Sequence, residues 1–150
     1  MPHTVFENKA EIVSAINDIF NNNSANFIDD NSEDLHYTIT NKYQSVSQWE
    51  FAYYDNSTQT LKKITDFSEL FKDRNFTALT NDPAGLKTGL SSWIVNYVEN
   101  MSSMFKDSTG FDQDLSSWNV SSVTNMANMF ENAESFNSNL SNWSVSNVTN

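Results

Sequence analysis

The chain has 150 residues, 38% apolar and 13% aromatic, enough to bury one core and too apolar for the disordered class. Its formal net charge of −11 repels phosphate backbones and anionic headgroups, which argues against nucleic-acid partners and charge-driven membrane binding. The absence of cysteine excludes disulfides, thiolate zinc sites and cysteine nucleophiles, and suits a reducing compartment or a surface protein stabilised by stacking.

The start, MPHTVFENKAEIV, lacks a basic region followed by an apolar run. No segment approaches the roughly 20 apolar residues of a spanning helix, so membrane insertion by this segment is not expected. From about residue 5 to 21, Ile12, Val13, Ile16, Ile19 and Phe20 fall at three- and four-residue spacing. That predicts an amphipathic helix, with Thr4 as its cap. The polar stretch NNNSANFIDDNSED ends it. Residues 36–40 and 46–54, HYTIT and VSQWEFAYY, are rich in aromatic and β-branched side chains and predict two strands joined across NKYQS. DNSTQ at 55–59 is expected to turn the chain. Residues 1–63 are thus expected to form a helix and hairpin that cap the remainder of the chain.

That remainder is dominated by a tandem repeat. Residues 101–125 read MSSMFKDSTGFDQDLSSWNVSSVTN and residues 126–150 read MANMFENAESFNSNLSNWSVSNVTN, identical at 12 of 25 positions. A partial copy precedes them, since Leu90, Trp93, Val95 and Val98 lie one period before Leu115, Trp118, Val120 and Val123. Units of this length cannot bury their apolar face alone and stack into extended arrays that present surfaces for binding. The expected fold class is therefore an α/β solenoid. ITDFSELF at 64–71 matches VENMSSMF at 98–105, with Ile64, Phe67, Leu70 and Phe71 opposite Val98, Met101, Met104 and Phe105. A degenerate repeat over 64–76 is expected, followed by an inserted loop at 77–89 whose Pro and Gly mark a surface position. Repeats proper then run over 90–150.

Within a repeat, LSSWNVSSV at 115–123 alternates apolar and small polar residues and predicts a short strand. TNMANMFENAESF at 124–136 places Met126, Met129, Phe130, Ala133 and Phe136 three or four apart, predicting a short helix with Thr124 as its cap. Parallel strands of successive coils would stack Trp93, Trp118 and Trp143 into an inner ladder. The predicted core is these tryptophans with Val95, Val120, Val145, Met101, Met104, Phe105, Met126, Met129 and Phe130.

The word L-S-x-W-x-V-S-x-V-T-x-M-x-x-M-F-x-x-A/S-x-x-F resembles the 25/26-residue bacterial surface protein repeat, the domain of unknown function 285 of mycoplasma and other bacterial surface lipoproteins. It is also similar to the leucine-rich repeats of BspA type. The resemblance covers residues 64–71 and 90–150. It implies a leucine-rich-repeat-like solenoid, exported and displayed on the cell surface, with a role in adhesion or host contact.

The residues offer little for catalysis. His3 and His36 have no partners at metalloprotease or triad spacing, and the pairs Asp29–Asp30 and Glu33–Asp34 read as solvated loop charges. Three glycines provide no phosphate loop. No enzyme activity and no cofactor are expected. Asp107, Asp112 and Asp114 are followed one period later by Asn132, Asn137 and Asn139. Such a row either ligates calcium or caps turn backbone, and the neutral Asn copies favour capping. Of the last 50 residues 21 are Ser or Asn, which gives the outward strand face many hydrogen-bonding groups and little charge. The candidate binding face is Ser92, Ile94 and Asn96, then Ser117, Asn119 and Ser121, then Asn142, Ser144 and Ser146. A protein or glycan on another cell surface would suit it, or the polar groups merely keep the sheet soluble. Because the last repeat ends after its strand, residues 1–150 are expected either to belong to a longer array or to self-associate through an open edge as an assembly protein.

Overall fold

The computed structural model describes residues 4–6, 8–22, 49–55, 58–79 and 85–150, and the architecture is mixed helix and strand. The expected strand 36–40, both histidines and the two acidic pairs lie outside these residues. Strand β1 (Thr4–Val5) pairs in parallel with β2 (Trp49–Glu50), Thr4 opposite Trp49. Helix α1 spans Lys9–Asn22. Its cap is Asn8 rather than Thr4, which belongs to β1. The Glu11 N–H donates to Asn8 Oδ1 at 3.1 Å, and Asn8 Nδ2 donates back to Glu11 Oε1 at 2.9 Å. This reciprocal pair satisfies one of the helix's free N-terminal donors and sets the first turn four residues later than the apolar spacing alone suggested. The apolar stripe itself forms as expected, with Ile12, Ala15, Ile16 and Ile19 fully buried.

Strand β3 (Ala52–Asp55) pairs antiparallel with β4 (Thr60–Lys63), Tyr54 opposite Leu61. The turn between them includes Thr58 and Gln59, the latter at φ 54°. The sequence reading missed β4 because all four of its residues are exposed, so TLKK carries no inward apolar face.

From Ile64 the chain winds in successive levels. The N–H groups of Phe67, Glu69, Phe71 and Asp73 donate to the carbonyls of Asn100, Ser102, Met104 and Lys106 at 2.8–3.0 Å. Those of Met101, Ser103, Phe105 and Asp107 donate in turn to Asn125, Ala127, Met129 and Glu131 at 2.8–2.9 Å. Parallel bridges link Asp66 to Asn100 and Asn100 to Asn125. The alignment of 64–71 with 98–105 is thus realised in backbone hydrogen bonds.

The roles of the two halves of the repeat are reversed from expectation. The stretch predicted as a helix carries this backbone ladder. Glu69 and Asp73, Ser103 and Asp107, and Asn128 and Asn132 all adopt φ between 54° and 60°. Each sits third in a tight turn such as Met101–Met104, closed by the Met104 N–H on the Met101 carbonyl at 3.2 Å, where a type II turn takes a left-handed residue. One left-handed residue in every four breaks a helix and turns alternate N–H groups sideways toward the next level. Met101, Met104 and Phe105 are still fully buried, so three-and-four spacing here encodes a turn stack. Thr124 caps no helix and instead donates its N–H and hydroxyl to the Glu99 carbonyl at 2.8 and 3.2 Å.

The predicted strand 115–123 is not a strand. Trp118 N–H donates to the Leu115 carbonyl at 3.0 Å and Val123 N–H to Val120 at 2.9 Å, forming two tight turns. Its inside-outside alternation nevertheless holds, with Trp118 and Val120 buried and Asn119 exposed between them. Side chains rather than backbone join the levels here. Ser117 Oγ donates to Ser91 O at 2.6 Å, Ser122 Oγ to Asn96 O at 2.7 Å, Trp118 Nε1 to Leu90 O at 2.7 Å and Trp143 Nε1 to Leu115 O at 2.9 Å.

The core is a set of aromatic columns. Trp93, Trp118 and Trp143 stack with centroids 6.3 and 6.4 Å apart and planes within 3°. Phe71, Phe105 and Phe130 form a second column at 5.3 and 5.7 Å. Val95, Val120, Met101, Met104, Phe105 and Met129 are buried as predicted. Met126, Phe130 and Trp143 are only partly buried and Val145 is 50% exposed, because the described residues pack against them from one side only. Of the predicted loop 77–89, residues 80–84 lie outside the description. The rest is held inward by Leu79 and Leu86, both buried, and by a helical turn at Leu86–Gly89. Helix α1 closes the first level: Lys9 Nζ reaches Asp66 Oδ2 at 3.2 Å and Ser68 Oγ at 2.7 Å, Arg74 bonds Asn17, and Phe20 meets Phe76 edge-on at 5.3 Å.

Candidate functional site

The turn-rich half of each level determines what the molecule shows to solvent. Because Trp93, Val95, Trp118 and Val120 point inward, the residues between them point out: Ser92, Ile94, Asn96, Ser117 and Asn119 are exposed and Ser121 is half-buried. In the last level Asn142, Ser144 and Ser146 are exposed as well. Stacking at a 25-residue period brings these side chains into ranks on one side. Some are spent on structure. Ser117 Oγ is tied to Ser91, and Asn119 Oδ1 accepts the Ser121 N–H at 3.1 Å, an Asx turn.

One end of this face is apolar. Ile94 is 67% exposed where the following repeats carry Asn119 and Ser144. Tyr97, one turn along, lies with its ring 4.5 Å from Lys63 Nζ of β4. The sequence reading missed Tyr97. The signal was present, since it occupies the position of Ser122 and Asn147; its cation partner is brought to it only by the fold.

The acidic row is occupied by the protein itself. Asp107 Oδ1 accepts from Asn132 Nδ2 at 2.7 Å, Asp112 Oδ1 from the Asn137 N–H at 2.9 Å and Asp114 Oδ1 from the Ser116 N–H at 2.9 Å. Hydrogen bonds from the Ser116 hydroxyl and N–H hold the Asp114 carboxyl below the usual range. Asn139 repeats the Asp114 arrangement on the Ser141 N–H at 2.9 Å. The same device appears at Asp66, Asn100 and Asn125, each accepting the N–H two residues on. A polar cleft of about 270 Å³ lies beside this row, lined by Asp107, Thr109, Gly110, Asn132, Glu134 and Ser135. Among the described residues no group of three or more His, Asp or Glu is placed to hold a metal ion, and no helix is long and apolar enough to cross a membrane.

No curated protein and no solved structure matches the chain. One family does, described as "Mycoplasma protein of unknown function, DUF285", over residues 38–150. The match begins well before the first recognisable repeat, so β2, β3 and β4 fall within the family's unit along with the stacked levels. With three quarters of its length matched, the chain belongs to the DUF285 family.

Proposed function

We propose that the stacked levels are a leucine-rich-repeat-like solenoid, capped at its start by α1 and the β3–β4 hairpin, and that the protein is a non-enzymatic interaction module displayed at the cell surface. Its binding face is the rank Ser92, Ile94, Asn96, Ser117, Asn119, Ser121, Asn142, Ser144 and Ser146, and its partner is a protein or glycan on another surface. The observation that carries the reading is the exposure of eight of these nine side chains at a constant period on one side. Regular ranks of small hydroxyl and amide groups offer directional hydrogen bonds with little charge to desolvate. Ile94 and Tyr97 add apolar area at one end of that face. Nothing in the acidic row or its cleft assembles a nucleophile, a base and a group to orient it.

The test is a glycan and surface-protein binding screen with the wild-type chain, Ser144→Arg and Asn119→Arg. Ser144 makes no hydrogen bond among the described residues, so its variant should fold normally. Binding weaker by about tenfold or more is the expected result for both, with an unchanged circular dichroism melt for Ser144→Arg and a slightly lowered one for Asn119→Arg, which loses the Asx turn to the Ser121 N–H. Equal binding by both variants would remove this face from consideration.

A further inference from the structure

Among the described residues the large apolar side chains left exposed are Leu61, Ile94, Tyr97 and Val145. Val145 belongs to the last repeat, whereas the other three meet where β4 joins the turns at 90–98. The parallel bridge between Asp66 and Asn100 sets the chain leaving β4 alongside residues 97–100, and so brings Lys63 over the Tyr97 ring. Leu61 lies two residues back on the same face of the strand. Ile94 immediately precedes the tight turn Val95–Val98 that carries Tyr97.

Two observations set this patch apart from the rest of the surface. Residues 90–98 keep the repeat's inward residues, Leu90, Trp93, Val95 and Val98, yet place Ile94 where the following repeats have Asn119 and Ser144, and Tyr97 where they have Ser122 and Asn147. Packing between levels does not account for Ile94, the most exposed large apolar side chain described. The other observation is charge. Lys9 is tied to Asp66, Lys72 to Glu69, Lys106 to Glu131 and Arg74 to Asn17. Lys62 and Lys63, both exposed, meet no carboxylate among the described residues. Residues 90–98 carry no charge, and the first carboxylate beyond them is Glu99. In a chain of net charge −11, two lysines without an acidic partner thus flank an exposed apolar patch.

We propose that Leu61, Lys62, Lys63, Ile94 and Tyr97 form a docking site for an acidic segment of another protein, one that presents an apolar side chain between carboxylates. The apolar side chain covers Ile94 and Leu61 while the carboxylates meet the two lysines. A second copy fits poorly, because two such sites face to face bring lysine against lysine. Two lysines do not offset the repulsion of a −11 chain from an anionic membrane. A sugar gains little from exposed leucine and isoleucine. Further repeats would stack beyond Trp143, at the other end of the tryptophan column from Trp93, and leave this patch uncovered.

The experiment titrates the isotopically labelled 150-residue chain with a short synthetic peptide that alternates Glu with Val and Tyr, and follows the backbone amide signals. Those of Leu61, Lys63, Ile94 and Tyr97 should shift together on binding. Ile94→Asn, which installs the residue of the next repeat, and the double variant Lys62→Glu/Lys63→Glu should each weaken binding by about tenfold or more. The same peptide with Gln in place of Glu should bind about tenfold more weakly. No binding, shifts confined to other amides, undiminished binding by either variant, or equal binding of the Gln peptide would overturn the proposal. So would a sulfated oligosaccharide that binds as tightly as the acidic peptide, because charge alone would then explain the site. Of the polar ranks only Ile94 is shared, and failure of the peptide leaves the screen of Asn119 and Ser144 variants untouched.

Discussion

Left-handed backbone at six non-glycine positions is what separates this repeat from a helix. Each left-handed residue other than glycine carries a steric cost of about 1–2 kcal/mol, least for Asn and Asp, whose side chains bond locally. Four of the six are Asn or Asp. Asn128→Val, which places a β-branched residue at φ 57°, should lower stability by about 1–2 kcal/mol in urea unfolding, while Asn128→Gly should be neutral or better. Gly110 is a sharper case: at φ 71° an added Cβ would stand 2.2 Å from Thr77 Cγ2 of the level below. Gly110→Ala should cost about 1–3 kcal/mol, and pairing it with Thr77→Ser, which removes the opposing methyl, should recover part of the loss. At Asp66, burial raises the carboxyl pKa, but hydrogen bonds from the Ser68 hydroxyl and N–H and the approach of Lys9 outweigh it and hold it below its ordinary 3.8. A carboxyl with a depressed folded pKa stabilises the fold above its unfolded value and loses that contribution as pH falls through the folded one. The side chain is 49% exposed, so solvent screening keeps the effect below about 1 kcal/mol. Comparing urea midpoints at pH 5 and pH 3, the loss on acidification should be smaller in Asp66→Asn than in wild type.

Among the elements, the tryptophan column concentrates most interactions in least sequence. Trp118 is 3% exposed, stacks on a tryptophan on each side and donates its indole N–H to the Leu90 carbonyl. Trp118→Ala should cost about 3–5 kcal/mol, a cavity between two rings and an orphaned carbonyl together. Trp143→Ala should cost distinctly less, because that ring is stacked on one side only; similar losses at the two sites would contradict this description of the column. Stacking also removes the faces of Trp93 and Trp118 from any sugar. Helix α1 acts differently, joined to the first level by Ile12, Ile16 and Ile19 and by the Lys9 and Arg74 contacts.

Among the described residues the backbone bonds between levels run from each level to the next, so stability should be graded along the levels. Amides of Phe71 and Phe105, whose bonds lie between two covered levels, should be the slowest to exchange in native conditions. The amide of Phe130 should be the fastest of the three aromatic positions, and a uniform rate along the column would indicate a single cooperative unit instead. The net charge of −11 is spread over a molecule whose repeat ends in neutral Asn where its predecessor has Asp.

The period, the insertion between the first and second levels, the inward tryptophans and the amphipathic stripe of α1 were all legible in the order of residues alone. Those features follow from burial, and burial leaves a direct trace in the spacing of apolar residues. The turn cap at Asp114 on the Ser116 N–H, repeated by Asn139 on the Ser141 N–H, was legible too, because Asn one period on can still accept that hydrogen bond. Which half of the repeat carries the backbone ladder was settled by contacts between levels. Three-and-four spacing buries Met101, Met104 and Phe105 equally well on a helix or on a stack of tight turns, and neighbouring levels select the turns by accepting the N–H groups that a helix would use internally. The same holds for β4, whose exposed residues record nothing of their pairing, and for Tyr97, which meets Lys63 across 34 residues of chain. Contacts of that range depend on where the backbone runs, and local pattern holds no record of it.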